Sequence, residues 1–300
     1  MGRMGLNGLL NVNKPTGCSS FSIVAEIRRL TGERRVGHAG TLDPAASGVL
    51  PVCLGQATRV AEYLMERPKE YLAGIELGLS TDTYDREGRI TACGALHNIS
   101  RTIVEEALLS FKGDIEQVPP VFSAVKIKGR KSCTLARAGH EVTLQPRKVQ
   151  IHDIEIISFN LPYLKLKISC SKGTYIRSLA NDLGVNIGCP AYLKDLERTA
   201  YGPFKIGDAV TPGYIHEAVA EGQLEQLLLP LDYALIGNSR VYLDEMQASN
   251  VEKGLDIALD INDTCSRDYC SAYTQDGRLL AVMKFAVEKG LWHPQKVFSL

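Results

Sequence analysis

The stretch most able to do chemistry is Gly37-His38-Ala39-Gly40-Thr41-Leu42-Asp43-Pro44, followed by Ser47-Gly48-Val49-Leu50. One acid stands in a loop of glycine, threonine and proline, just ahead of an apolar run that reads as a strand. Pro44 restricts the residue before it to extended backbone. Thr41 and the loop's N–H groups offer hydrogen bonds that would hold the Asp43 carboxylate ionised. Such a rigid carboxylate suits attack or proton transfer; the same Asp-Pro pair is also an ordinary turn signal. Arg177 follows a Lys172-Gly173 turn between a strand and a helix and is the natural counter-charge. Its guanidinium either pairs with Asp43 and fixes that rotamer or makes a weak surface ion pair. Tyr71 and Tyr175 each open an element, where a ring can stack on a base or pack half-buried in the core. His38, Lys14 beside Pro15, Arg147, Lys148 and the basic residues between 126 and 137 are candidates to meet a nucleic acid, or serve as loop and solubility residues.

Other chemistries fit poorly. The chain has no GxGxxG, no phosphate loop ending in Gly-Lys-Ser/Thr, no HExxH and no GxSxG elbow. Its six histidines show no ligand spacing, and the cysteines form no CxxC pair, so reduced thiols and no metal are expected; Cys265 and Cys270 would be the nearest approach to a metal pair. No apolar run approaches the ~20 residues of a membrane span. A cytoplasmic protein is expected. Net charge is zero, but residues 1–60 carry seven Lys/Arg against three Asp/Glu and residues 121–150 carry seven against one. The balancing acids lie in 61–120 and 211–300. A neutral chain can thus present a localised phosphate-binding face.

The elements that would position these residues read as mixed α+β. Strands are expected at Gly8–Val12, Val49–Leu54, Tyr71–Leu77, Val149–Phe159 and Tyr163–Cys170. In the last of these Leu164, Leu166, Ile168 and Cys170 alternate with wet residues. Helices are expected from Ser19 or Ser20 to about Leu30, over Ala57–Met65, and from a Ser100 cap through Leu108. Another follows Thr174 as cap, with Ile176, Leu179 and Leu183 inward and Arg177 projecting elsewhere; a short one holds Tyr192, Leu193 and Leu196. Asp85-Arg86-Glu87-Gly88 is a turn. Pro119-Pro120 and Pro146 bound a basic excursion containing Lys126, Lys128, Arg130, Lys131 and Arg137. Gly237-Asn238-Ser239 marks a boundary, after which a β-rich unit with an Asp276-Gly277 hairpin docks on the main body.

Taken together, Asn13-Lys14-Pro15-Thr16-Gly17-Cys18-Ser19-Ser20, Val36 to Pro51, Lys69-Glu70-Tyr71, Pro119 to Gly129, Gly173-Thr174-Tyr175-Ile176-Arg177-Ser178-Leu179, and Leu196-Glu197-Arg198-Thr199 with Gly202-Pro203-Phe204 closely resemble the TruB-type bacterial tRNA pseudouridine synthases. The likeness is strong over about residues 7–207 and weaker in the tail. It implies a large, mainly antiparallel sheet flanked by helices over residues 1–237, with an RNA-gripping excursion at about 119–146, and a small PUA-like RNA-binding domain over 238–300. It implies isomerisation of the uridine at position 55 in the T-arm of elongator tRNA, by base flipping, without metal or organic cofactor, by a monomer with no obligate protein partner. By the same resemblance Asp43 matches the catalytic aspartate, which adds to C6 of the base or removes the C2′ proton by a glycal route. Arg177 matches its salt-bridge partner, and Tyr71 the residue that stacks on the base and is implicated in late proton abstraction. Tyr175 and Leu196 match pocket residues, His38 a residue holding the flipped arrangement, and Lys14 a support of the loops; Lys126, Arg130 and Arg147 fall to RNA contact. Cys133, Ala45-Ala46-Ser47 and Tyr192 depart from the family's usual residues. A synthase for another RNA, and a non-catalytic T-arm binder or folding helper, are the alternatives.

Overall fold

Nine strands share one sheet in the computed structural model, which describes residues 5–127, 129–259 and 269–299. Lys128 and Cys265 lie outside the described residues. The first half of the chain runs β1 (Gly8–Lys14), α1 (Ser20–Thr31), β2 (Val36–His38), β3 (Ser47–Leu54), α2 (Ala61–Met65), β4 (Lys69–Leu77), β5 (Leu79–Thr81), β6 (Ile90–Cys93), α3 (Arg101–Leu109) and β7 (Gly113–Gln117). The excursion holds β8 (Lys126–Ile127), β9 (Arg130–Lys131) and α4 (Ser132–Arg137). Then come β10 (Arg147–Asn160), β11 (Tyr163–Cys170), α5 (Ile176–Asn186), β12 (Ala191–Tyr201), β13 (Phe204–Lys205) and α6 (Pro212–Ala220). The tail adds β14 (Ser239–Tyr242), α7 (Glu245–Glu252), β15 (Tyr269–Tyr273), β16 (Leu279–Ala286) and β17 (Leu291–Val297).

The large sheet has the order β1-β3-β12-β4-β11-β10-β7, with β2 on β3 and β13 on β12. Every pairing is antiparallel except β3 with β12. Burial explains the two kinds of strand pattern. In β4 and β11 alternate residues are buried, because helices α1, α3 and α5 cover one face while the other is wetter. In β3 nearly every residue is buried because both faces are covered. Leu50, Val52 and Leu54 pack with the helices. Val49 and Cys53 share a cluster with Leu279 and Val282 of the four-stranded tail sheet β14-β15-β16-β17 and with Phe298 just beyond it. No helix among the described residues is long and apolar enough to cross a membrane.

Local signals account for most boundaries. Ser19 caps α1 through Ser22 N, and Gly32 ends it in the left-handed region at φ 71°. Ser100 caps α3 through Ile103 N. Two expectations fail. Tyr192, Leu193 and Leu196 belong not to a short helix but to strand β12, whose bulge between Leu193 and Asp195 breaks the two-residue period and makes the apolar spacing look helical. Thr174 does not cap α5, because its hydroxyl donates back to Ser171 O at 3.0 Å. The N-cap is Tyr175, whose backbone is instead held by Gln117: Tyr175 N donates to Oε1 at 2.7 Å, and Nε2 donates to Tyr175 O at 3.0 Å.

Strand register lays one row of residues across the sheet. Lys14 of β1 stands opposite Gly48 of β3, Gly48 opposite Arg198 of β12, Arg198 opposite Tyr71 of β4, and Tyr71 opposite Ile168 of β11. Gly48 sits at φ 103°, and a Cβ there would stand 2.3 Å from Arg198 O. A second strained point lies in the turn after β5, where Tyr84 has φ 62°. Its carbonyl accepts from Leu193 N at 2.9 Å, so the turn is pinned to β12.

Two backbone tests follow from these positions. Gly48→Ala combines a forbidden φ with overlap on a β12 carbonyl and should lower unfolding stability by about 3 kcal/mol, read as an earlier urea midpoint. Tyr84→Gly relieves the left-handed strain and should raise stability by about 1 kcal/mol, read as a later midpoint with the same slope.

Candidate active site

Asp43 is positioned by its backbone. The Ser20 hydroxyl, at the start of α1, accepts from Leu42 N at 2.8 Å and donates to Leu42 O at 3.0 Å. Ala46 N donates to Asp43 O at 3.1 Å, and Gly17 N to Pro44 O at 2.8 Å. Beneath the loop Lys14 Nζ donates to Pro15 O and Cys18 O, each at 2.8 Å, and reaches Pro44 O at 3.5 Å. Lys14 is fully buried, so it braces the loop rather than facing solvent. Burial pulls its pKa down, partly offset by Cys18 and Asp43. The expected Thr41 bond to the carboxylate is not formed; Thr41 is exposed, and the carboxylate instead faces Arg177.

Arg177 does not project away from the core. Its side chain is 7% exposed, and Nε lies 3.0 Å from Asp43 Oδ2. That Nε–H is not aligned on the oxygen, so the contact is an ion pair rather than a directed hydrogen bond. The other nitrogens are better held. Nη1 donates to Asp85 Oδ2 at 3.2 Å and to Thr83 O at 3.4 Å, and Nη2 donates to Phe122 O at 3.1 Å. Asp85 is fixed in turn: its Oδ1 accepts from Thr83 Oγ1 at 2.6 Å and from Glu87 N at 3.0 Å. Sequence reasoning missed Asp85, which reads there as one acid of a solvated turn. Asp43 keeps 44% of its side chain exposed while Asp85 keeps 11%. The buried acid therefore anchors the guanidinium, and the open acid is left able to meet a substrate.

Asp43, Asp85, Arg177, Leu193 and Leu196 line a cleft of about 10 Å³, room for one water. It adjoins a groove of about 630 Å³ along β4, β11 and β12, through Ala45, Lys194, Asp195 and Leu196. In that groove Lys194 Nζ lies 4.0 Å from the Tyr163 ring centroid. Tyr71 is only 8% exposed. Burial pushes its phenol up, and the charge and hydrogen bond of Arg198 oppose that rise. His38 is half-buried; burial and then Arg198 hold its imidazole below the usual range, so it is neutral at pH 7. Tyr175 is half-buried at the start of α5.

The basic excursion is wired to this centre. Phe122 supplies one acceptor to Arg177, and Ser178 Oγ donates to Val118 O at 2.7 Å. Lys126, Arg130 and Arg147 are exposed around it. A directed carboxylate beside a fixed cation, next to an open groove and a basic arm, can carry out acid–base or nucleophilic chemistry on a long anionic ligand.

Residues 28–176 match the family model described as TruB family pseudouridylate synthase (N terminal domain), and residues 177–236 match the tRNA pseudouridylate synthase B C-terminal domain. The chain is 44% identical to a tRNA pseudouridine synthase B of Dehalococcoides mccartyi (strain CBDB1), covering 98% of this chain and 97% of that one. It is 42% identical to the Clostridium kluyveri tRNA pseudouridine synthase B over 84% of this chain and 86% of the relative. Among solved structures, a Cbf5-Nop10-Gar1 complex superposes with a TM-score of 0.73 at 25% identity, over 97% of this chain and 84% of that chain. Fold and sequence likeness agree across nearly the full length, and the chain belongs to the TruB family of tRNA pseudouridine synthases.

Proposed function

We propose that this tRNA pseudouridine synthase acts on the uridine at position 55 in the T-arm of elongator tRNA, with Asp43 as the catalytic carboxylate. The observation that carries the reading is the Asp43–Arg177 pair, 3.0 Å apart, with the acid open to the cleft and the base buried. The uridine leaves its stack, at a cost of a few kcal/mol offset by stacking and phosphate contacts. Asp43 acts on the extruded nucleotide, either at C6 of the base or at the C2′ proton of the sugar. The N1–C1′ bond breaks, the uracil turns in place, and C5 bonds to C1′. The Asp43 carboxylate is then released from C6, or gives the C2′ proton back; the C5 proton leaves and N1, freed from the sugar, gains one, so the product is an isomer and no cofactor enters the balance. Tyr71 stacks on the flipped base and takes part in the late abstraction of the C5 proton. His38, Tyr175 and Leu196 keep the flipped nucleotide in place, and Lys14 braces the loop.

RNA grip in this reading comes from the excursion at about 119–146 with Lys126, Arg130 and Arg147, and from a PUA-like module over residues 238–300 beside a catalytic domain over 1–237. The charge distribution and exposure of these side chains support it. The working form is a cytoplasmic monomer.

Asp43→Asn should abolish C5-tritium release from labelled tRNA while binding of a T-arm hairpin persists; near-parental release would refute the assignment. Asp85→Asn frees one side of Arg177 and should lower the single-turnover rate about ten- to a hundredfold, the worth of one charged hydrogen bond, with little change in affinity. Lys126→Ala and Arg130→Ala should each reduce the salt dependence of tRNA binding by about 0.7 to 0.9 in log–log slope. An unchanged slope removes that residue from the RNA contact.

A further inference from the structure

Three cations lie buried around the catalytic loop: Lys14 at 0%, Arg198 at 1% and Lys69 at 7% exposure. Among the described residues none of them has a carboxylate within ion-pair distance, in contrast to Arg177 with two. Lys14 and Lys69 bond backbone carbonyls: Lys69 Nζ donates to Met65 O at 2.8 Å. Arg198 does something different. Its Nε donates to Val49 O at 2.7 Å, in β3, and its Nη2 donates to Gly40 O at 2.9 Å, in the loop that carries Asp43. Across the strands it stands directly opposite Tyr71. Its guanidinium carbon lies 4.8 Å from the ring centroid of Tyr201. That ring in turn closes on Gly40, where a Cβ would stand 2.7 Å from Tyr201 Cε1.

An uncharged side chain of similar length would fill this space without the cost of desolvating a charge. What only arginine supplies is a planar fork of donors that reaches several fixed acceptors at once.

We propose that Arg198 is a positioning residue for the isomerisation: one buried guanidinium locks the Asp43 loop to the sheet through Gly40 and Val49 and holds its cross-strand neighbour Tyr71 in place. This rests on the reading of Asp43 and Tyr71 as active-site groups given above. A residue that merely fills the core would affect stability and leave the chemical step alone. Arg198 links the two reacting flanks of the cleft, so its loss falls on the rate and falls through Tyr71.

The test is a double-mutant cycle with Arg198→Lys, Tyr71→Phe and the pair, on full-length protein and unmodified tRNA. Single-turnover rate and T-arm hairpin affinity are both measured. Arg198→Lys should lower the rate at least about tenfold with affinity within about threefold, and should cost markedly less when Tyr71 is already Phe, because contacting residues couple. An unchanged rate, or the same fold-loss in both backgrounds, overturns the proposal. If Arg198→Lys does not fold, the arginine side-chain ¹⁵N resonances of the parent chain decide. The Arg198 resonance should shift on Tyr71→Phe, and an unmoved resonance overturns the coupling. Asp43→Asn serves as the separate control: tritium release by that variant defeats the active-site assignment itself, while the resonance experiment still reports on Arg198 and Tyr71.

Discussion

A guanidinium that cannot shed its proton, buried at the start of α5, is the constraint around which this site is arranged. Arg177 must find acceptors for its donors wherever it is enclosed. It draws them from the loop before β3, the turn after β5 and the root of the basic excursion. Three stretches far apart in sequence are therefore held to one point by the same side chain. Its two acids differ in exposure, and that difference divides their work. The buried Asp85 balances the charge, and the half-exposed Asp43 stays available at the edge of the cleft. A single carboxylate would have to do both, with its oxygens committed to the cation.

The sheet provides the floor for this arrangement. The parallel contact of β3 with β12, the exception in an otherwise antiparallel sheet, brings Gly48 against Arg198 and so sets the strand after the Asp43 loop in register with Tyr71. A slip of one residue in that register would turn Arg198 and Tyr71 to the opposite face. The missing side chain at Gly48 is what allows the two strands to meet there. Coverage of both faces of β3, by helices on one side and the tail sheet on the other, keeps this edge from shifting.

Much of this was legible in the residues, and the part that was not has physical causes. Asp43 and Arg177 stand out because a lone acid in a Gly-Thr-Pro loop and an arginine after a strand–turn are unusual settings for charge. Their contact is long-range, and no local pattern encodes it. Asp85 was invisible because an Asp-Arg-Glu-Gly turn looks the same whether its acid faces water or a buried arginine. β12 was misread because a bulge spaces its apolar residues like a helix. Helix α7 was overlooked in a tail that otherwise reads as strands, although Asp244 with Gln247 forms the capping box that announces it. Lys14 beside Pro15 reads locally as a residue to meet a phosphate or cap the first strand, and its complete burial depends on carbonyls from two segments that only the folded loop brings together.

The space in front of Asp43 is barely larger than a solvent molecule. If Asp43 meets the base as proposed, the nucleobase has to wedge these walls apart, with the work supplied by contacts made elsewhere along the polynucleotide. A free nucleoside carries no such handholds and would gain none of that work. On the proposed reading, the same tightness would keep a detached uracil beside the sugar that it must rejoin.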